Sequence, residues 1–385
     1  MEAPFKVGGA VEPPYFAGRE QDLKVLARSV KSMDQHYLIL APRRFGKTSL
    51  LLNLRRKLAP ERSLLVPYVN CRDMACPEDL YHLLARSLVK ELERKRKLAG
   101  LWERFRTVFG EKLLRAVRAV EEIGGELGEW GKAYLRFRER EIDEGELVRA
   151  AFSFPARVAE ERRVGVVFLL DEFQEVAEFD GRIFSALKAA MDRAWTVRYL
   201  FSGSSLGLMR EIFLREDSPL YLMVTHYRLG PLPREEAMAF LWERFAAGGL
   251  KPAPEISERM YELVGGIPFY LQKLGLIVFQ RALLGGRTEV GEKDVEEAFV
   301  EMLTELDGEF ESRWLSEFSP LQRRILRALA ELGEAGVTEV AERLGAKPSD
   351  ISSTLTRLRE AMVIERDEGG YRIVDVVFAR WLAGF

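Results

Sequence analysis

LILAPRRFGKTSLLL, residues 38–52, joins a short apolar run to an amphipathic helix through a loop that contains proline and glycine. The loop has the spacing G-x-x-x-x-G-K-[ST] of a phosphate-binding loop, with Ala41 at the first glycine position. Backbone N–H groups of such a loop and the following helix N-terminus attract phosphate oxygens, and a glycine lets the main chain approach them closely. Lys47 is expected to contact the β and γ phosphates, and the Thr48 hydroxyl to coordinate Mg²⁺. The predicted nucleotide-binding residues here are Pro42, Arg43, Arg44, Phe45, Gly46, Lys47, Thr48 and Ser49.

Length and composition limit the classes of protein that this chain can be. Its 385 residues allow two or three domains, and a net charge of −2 gives no overall positive field for a nucleic acid. No apolar run reaches the roughly 18 residues of a membrane span. Cys71 and Cys76 lack a second pair of ligands, so we expect reduced thiols, no zinc site and a cytoplasmic location. Scarce asparagine beside abundant Glu and Arg is typical of thermophile proteins.

Five predicted strands with helices between them indicate an α/β protein built on a parallel P-loop sheet. The strands are expected at 36–41, 64–69, 166–170, 199–201 and 224–229, with Pro67 favouring an edge position for the second. We expect a P-loop core over 1–232, a helical lid over 233–315 and a separate segment over 316–385.

A helical insert is predicted from about 77 to 163 in the core. Within it, residues 90–118 carry ten Lys/Arg against four Asp/Glu. A solvated helix face explains such a run, and a phosphate-contacting arm for DNA or RNA is the sharper alternative. The sequence leaves open whether the insert is a lid, an oligomerisation arm or a DNA clamp.

A second nucleotide signature follows the apolar run VVFLL, residues 166–170. A continuous apolar run is typical of a strand that is buried on both faces. This run is followed directly by Asp171 and Glu172. Asp171 is predicted to hold Mg²⁺, directly or through water, and Glu172 to act as general base on the attacking water. Ser202, at the tip of the next strand, is either a bridge between that water and the γ-phosphate or part of a simple turn.

The last segment predicts a winged helix, because three helices over 320–361 precede a hairpin around Gly369-Gly370. Its third helix carries small polar and basic residues suited to a major groove. However, the segment from 316 on holds ten Arg/Lys against eleven Asp/Glu, which is poor for phosphate neutralisation, and winged helices also dock proteins. The DNA-binding candidates are Lys347, Ser349, Ser352, Ser353, Arg357 and Arg359.

These motifs together resemble the archaeal ATPases of the STAND group, relatives of AAA+ proteins, over nearly the whole chain. FAGRE (16–20) is similar to the family's box beside the adenine, FLLDEFQ (168–174) to Walker B, FSGSSLGLM (201–209) to sensor 1 and GGIP (265–268) to the GxP motif. The resemblance implies an ASCE/AAA+-like fold, with Gly18 and Arg19 near the nucleotide and Pro268 packed on the base. Archaeal origin-recognition proteins share this layout and are the nearest alternative.

One departure from the family pattern concerns an arginine. The family continues SPLY with Gly-Arg, whereas Ser218-Pro-Leu-Tyr221 is followed here by Leu222-Met223. If that arginine senses the γ-phosphate or a neighbouring subunit, this chain lacks it there; Arg210, Arg215 and Arg228 are candidate substitutes, and the sequence favours none of them. Alternatively the position is structural and tolerant.

We therefore expect a slow, Mg²⁺-dependent ATPase whose ATP or ADP state repositions the lid and winged helix on DNA. Two other functions stay open. One is a STAND-type regulatory switch that barely hydrolyses ATP and binds a protein partner, and the other is a replication or integration accessory of a mobile element. A homo-oligomer is compatible with each, and no membrane is expected.

Overall fold

The computed structural model describes residues 3–95, 144–178 and 182–384. They form two compact units. The sheet unit comprises Gln21–Leu40 and Leu51–Arg228, and the helical unit comprises the chain up to Glu20, Ala41–Leu50 and the chain from Leu229 on. Most of the predicted basic run, from residue 96 to 118, lies outside the described residues.

The sheet unit is built on a parallel sheet. Its strands are β1 (Tyr37–Leu40), β2 (Leu64–Leu65), β3 (Tyr68–Asn70), β4 (Gly165–Asp171), β5 (Val197–Gly203) and β6 (Thr225–Arg228). The order is β2-β4-β5-β1-β6, and β3 also pairs with β4. β2 and β3 are the two halves of the predicted strand 64–69, interrupted at Pro67, which has no N–H for the ladder. The predicted five-stranded parallel fold is thus confirmed, with the second strand at an edge.

Burial follows strand position in this sheet. β5 is buried at every residue and β4 at all but its first, as expected for central strands covered on both faces. Edge strand β6 (THYR) is largely exposed and polar, which discourages pairing with another chain. Stacked rings of Phe168, Tyr199 and Phe201 fill one face of the core.

The helices of the sheet unit connect these strands. They are α1 (Glu20–Ser32), α2 (Lys47–Leu58), α3 (Pro77–Arg94), α4 (Glu144–Arg162), α5 (Arg182–Arg193) and α6 (Leu206–Phe213), with short 3₁₀ turns at Cys71–Asp73 and Phe173–Glu178. Glu91 of α3 is fully buried and accepts hydrogen bonds from Arg55 (3.0 Å) and Arg94 (2.6 Å). Lys95 bonds the carbonyls of Glu61 and Leu64. At the start of the basic run, Arg94 and Lys95 thus bond to protein groups, whereas Lys90 is exposed.

The helical unit contains the predicted lid helices. These are α7 (Arg234–Ala247), α8 (Pro254–Val264), α9 (Pro268–Leu284) and α10 (Glu292–Glu317). The N-terminal segment belongs to this unit. Its Phe5 is 2% exposed and packs edge-on against Phe240 and Phe245.

The turn between α8 and α9 requires its two glycines. Gly265 and Gly266 have φ values of 63° and 72°, in the left-handed region that side chains avoid. A Cβ on Gly266 would lie 2.5 Å from the Leu232 carbonyl oxygen, and one on Gly265 would lie 2.7 Å from Val376. Close packing and turn geometry therefore both require glycine at the first two positions of GGIP.

The C-terminal segment, residues 320–384, has the predicted three helices and hairpin. They are α11 (Pro320–Leu332), α12 (Val337–Leu344) and α13 (Pro348–Glu360), followed by antiparallel β7 (Ile364–Arg366) and β8 (Tyr371–Ile373) and by α14 (Val376–Ala383). A capping box between Ser319 and Gln322 starts α11. Phe310 and Trp314 of α10 pack on Phe378 of α14, so α10 supplies part of this segment's core.

Candidate functional site

The phosphate loop has a backbone that is formed without any bound ligand. Arg44 and Gly46 adopt positive φ values of 74° and 82°, and α2 begins directly at Lys47. Lys47 is 6% exposed, and its ammonium donates to the carbonyls of Ala41 (2.8 Å) and Pro42 (2.9 Å). The lysine thus spans the loop whose phosphates it is predicted to bind, and a γ-phosphate would have to replace these carbonyls.

Hydrogen bonds join the N-terminal segment to the phosphate loop within the helical unit. Arg19, which is 4% exposed, donates to the Phe45 carbonyl at 3.1 Å and to the Gly230 carbonyl at 2.7 Å. The backbone N–H of Arg19 donates to Glu236 Oε2 at 2.8 Å, and the adjacent Gly18 lies against the same carboxylate. Ser49 Oγ accepts a hydrogen bond from the Val11 N–H at 3.1 Å. The structure therefore brings the predicted residues Gly18, Arg19 and Ser49 to the loop.

The Arg44 side chain packs against residues of α9 and α10. Its guanidinium donates to Tyr270, is paired with Glu309, and lies about 5 Å from the ring centroids of Phe269, Tyr270 and Phe310. Neighbouring Glu309, Asp375 and the phenol raise the pKa of Arg44 although burial opposes this. Arg44 can thus contribute its backbone to a nucleotide, whereas its side chain is used in what we call the Arg44 junction, formed by Arg44, Phe269, Tyr270, Glu309, Phe310 and Asp375.

Tyr270 extends the Arg44 junction into the C-terminal segment. Its hydroxyl donates to Asp375 Oδ2 at 2.9 Å, and burial raises the pKa of this phenol well above its usual value. Asp375 Oδ1 in turn accepts from the Phe378 N–H at 3.0 Å and caps α14. Pro268, predicted to pack on the base, begins α9 and lies 3.9 Å from where a Cβ on Gly46 would be. No sequence signal pointed to Tyr270, Phe310 or Asp375 as partners of the loop.

Asp171 is held rigidly at the tip of β4 in the sheet unit. It is 1% exposed, and its two carboxylate oxygens accept hydrogen bonds from Ser202 Oγ and from the Tyr68 hydroxyl at 3.1 Å. Burial and this carboxylate raise the pKa of Tyr68, so the phenol remains a proton donor. Ser202 is thus a partner of Asp171, and Tyr68 is a further one that only its position at a predicted strand end could have indicated.

Glu172 follows in a left-handed conformation with a φ of 52°. Its Oε2 accepts from the Gln174 amide at 2.6 Å and from Ser204 Oγ at 2.7 Å, and Arg72 lies 3.5 Å from Oε1. Gln174 and Ser204 both occur in the quoted motifs, but nothing in the pattern distinguished them from their neighbours. The carboxylate is therefore oriented by three side chains from three different loops.

The strand order places the acidic tip of β4 one strand away from β1, the strand that leads into the phosphate loop. β4, β5 and β1 are adjacent and parallel, with Leu170 opposite Phe201 and Ile39 opposite Ser202. Asp171, Ser202 and the end of β1 at Leu40 therefore lie at one edge of the sheet unit, and the phosphate loop begins at the next residue. That Thr48 and Asp171 share a metal stays a prediction. Among the described residues, no group of three His, Cys, Asp or Glu side chains could hold a metal ion.

The remaining predicted residues lie on exposed surfaces. The six DNA-binding candidates on and before α13 are all exposed, and Ser352 donates to the Pro348 carbonyl at 2.6 Å. Leu222, where the family pattern has glycine, has a φ of 59° and is 80% exposed. This backbone favours glycine, so the pattern's Gly is explained by geometry. Arg215, one proposed substitute arginine, is paired with Asp217 at 2.9 Å.

Comparison with known proteins agrees with this geometry. Residues 16–274 match the family described as "ATPase domain predominantly from Archaea", and residues 317–380 match one described only as HVO_A0114. A Walker-type ATPase from Pyrococcus abyssi is similar in structure, with a TM-score of 0.66 and 21% identity over 98% of this chain and 99% of that one. Aeropyrum pernix ORC2, in ADPNP–ADP complexes, has a TM-score of 0.60 and 15% identity over 98% and 95%. The search of curated proteins returned no match.

The fold and the phosphate loop define an ATP-hydrolysing P-loop enzyme. The chain belongs to the family of ATPase domains found predominantly in Archaea. Within the described ranges, no helix has both the length and the apolar composition that crossing a membrane requires.

Proposed function

We propose that this ATPase couples its nucleotide state to DNA binding through the C-terminal segment, and that Lys47, Asp171 and Glu172 carry the chemistry. One observation supports the catalytic part most directly. Parallel strands β4, β5 and β1 end at one edge, and this edge carries the acidic pair and leads straight into the phosphate loop. In open parallel sheets, ligands bind outside the carboxyl ends of the strands.

Each residue has a role that its surroundings allow. Lys47 would exchange its loop carbonyls for phosphate oxygens and neutralise charge that develops in the transition state. Glu172 would orient and deprotonate the attacking water, with Gln174 and Ser204 fixing the carboxylate. Ser202 would hold Asp171 in place.

The donor set near the nucleotide fits Mg²⁺. Mg²⁺ takes oxygen ligands and is usually held by one or two carboxylates together with substrate phosphates, rather than by an all-protein cage. Asp171 offers a buried carboxylate, and Thr48 is predicted to offer a hydroxyl. When bound, the ion would neutralise charge on the β and γ phosphates.

Steady-state phosphate release tests the catalytic roles. Lys47→Ala should lose hydrolysis together with nucleotide affinity. Glu172→Gln should keep binding of a fluorescent ATP analogue but slow release about 10²–10⁴-fold. Glu175→Gln is the matched control, because Glu175 is a neighbouring acid that also accepts from Gln174. Equal rates in the wild type and in Lys47→Ala and Glu172→Gln would reject the assignment.

The DNA-binding part of the proposal is supported by the C-terminal segment. Its three helices, antiparallel hairpin and final helix occur in the order of a winged helix, and α13 exposes a polar face. Fluorescence anisotropy with duplex and single-stranded DNA should show binding that weakens as salt rises from low to moderate concentration. No binding at low salt would reject DNA as the partner.

A second candidate function is a slowly hydrolysing STAND-type switch that binds a protein. The Arg44 junction favours it, because the phosphate loop contacts Tyr270, which bonds the cap of α14. A nucleotide that moves the loop would thereby alter the C-terminal segment. Nucleotide-dependent change in proteolysis of that segment, without DNA binding, would distinguish the switch from the DNA-linked ATPase.

A further inference from the structure

The C-terminal segment carries a concave surface that none of the sequence motifs indicated. It has a volume of about 460 Å³ and lies between α11, the end of α12 and Trp314 of α10. Four arginines and one glutamate line it, which gives a net charge of +3. We call this surface the arginine hollow; its charged residues are Arg323, Arg324, Arg327, Glu331 and Arg343.

Three of these arginines are oriented by uncharged partners. Arg323 Nε donates to the Phe318 carbonyl at 2.9 Å, and Arg324 donates to the Leu344 carbonyl at 2.9 Å, at the C-terminal end of α12. Arg327 lies 5.8 Å from the centroid of the Trp314 ring. Among the described residues, none of the three is paired with a carboxylate. Their side chains are thus partly ordered while their positive charge is not offset.

The fourth arginine is different. Arg343 forms an ion pair with Glu331, its Nε lying 2.9 Å from the carboxylate. This pair accounts for the only acid of the hollow, so the uncompensated charge is concentrated on Arg323, Arg324 and Arg327 of α11.

Charge elsewhere on the segment is distributed differently. The hairpin from Ile364 to Ile373 has two arginines against three acids, and Glu334 adds a further acid beside Gly369. The α13 region from 347 to 360 has three basic residues against two acidic ones. The segment's near-neutral total therefore conceals one strongly positive surface, the arginine hollow, and one negative hairpin.

We infer that the arginine hollow is the phosphate-contacting surface of the C-terminal segment and binds the sugar-phosphate backbone of DNA. The inference rests on the proposed DNA binding and assigns it to α11 instead of to the hairpin or the basic residues of α13. Guanidinium groups match phosphate oxygens bidentately and are weakly hydrated, so ordered, unpaired arginines suit this ligand. A polyanion that approaches through the hairpin meets repulsion, and one that approaches through α11 meets a net charge of +3.

Salt titration of DNA binding by the full chain tests the inference. Each phosphate neutralised on duplex DNA contributes about 0.9 to the slope of log affinity against log salt. The triple variant Arg323→Gln, Arg324→Gln, Arg327→Gln should reduce that slope by about 2.7. The matched comparison is Lys347→Gln, Arg357→Gln, Arg359→Gln, which makes the same charge change on α13 and should reduce the slope by less than the α11 variant does. Circular dichroism checks that both triple variants fold.

The outcomes separate the inference from the function on which it rests. No DNA binding by the wild type rejects the proposed function together with the inference. Wild-type binding with an unchanged slope in the α11 variant, or equal reductions in both triple variants, overturns the inference alone. If the triple variant misfolds, Arg324→Gln, at an exposed residue, should lower the slope by about 1.

Discussion

Replacing Arg44 by alanine should destabilise the helical unit even though Arg44 belongs to a loop predicted to bind nucleotide. The side chain, 11% exposed, lies over three aromatic rings, and a desolvated cation–π contact is worth about 2 kcal/mol. The pair with exposed Glu309 adds less than about 1 kcal/mol. Tyr270 would lose one hydrogen bond but keep Asp375, which costs about 1 kcal/mol. The expected loss is therefore about 2–4 kcal/mol.

Urea unfolding without nucleotide, followed by tryptophan fluorescence, measures this loss, because Trp314 and Trp381 lie in the aromatic cluster around Phe310. Arg43→Ala is the matched control. The Arg43 side chain is 62% exposed and only reaches Glu317 at 3.9 Å, so its loss should stay within about 0.5 kcal/mol. Arg44→Lys, which keeps the charge but not the planar fork, should fall between the two. Similar unfolding midpoints for Arg44→Ala and Arg43→Ala would refute the structural role of the junction.

Two further predictions concern the sheet unit. Glu91→Ala should lower the free energy of unfolding by about 1.5–3 kcal/mol, because it removes the charge-assisted hydrogen bonds that two partly exposed arginines make to a buried carboxylate. Lys90→Ala, at an exposed residue, should change it by less than about 0.5 kcal/mol. Equal losses for the two variants would contradict this. Burial, with Arg198 nearby, lowers the pKa of His36 from 6.5 to about 4. As the pH falls, this imidazole is therefore protonated in the unfolded chain before it is protonated in the folded chain. Stability should fall by about 3 kcal/mol as the pH drops from 6.5 to 4, and urea midpoints across this range should vary less in His36→Gln.

Much of the fold follows from patterns that act over a few residues. The continuous run VVFLL predicts a central strand because both faces of β4 are covered, and Gly46 with Lys47 marks the loop-to-helix junction. Pro67 correctly predicted an edge, where it interrupts the ladder between β2 and β3. Helix boundaries such as that of α11 follow from a capping box whose two members are three residues apart.

Partners far apart in the chain could not be predicted in this way. Tyr270 and Asp375 are 105 residues apart, and Arg44 and Tyr270 are 226 apart, so their contacts depend on the packing of several helices. The two arginines of the phosphate loop look equivalent in sequence, yet Arg43 is exposed and Arg44 is held among aromatic rings. Net charge was also an incomplete guide, since the near-neutral C-terminal segment separates its charges onto different surfaces.

Helix α10 runs without a break from Glu292 to Glu317, and its last two turns carry Phe310 and Trp314 into the core shared with α14. The C-terminal segment is consequently not a separate domain that could be exchanged at a linker after α10. A functional chimaera would have to inherit the end of α10 from the donor as well. A change of the bound partner would then arise from substitutions on the exposed surface of the C-terminal segment, while the core that α10 and α14 share stays the same.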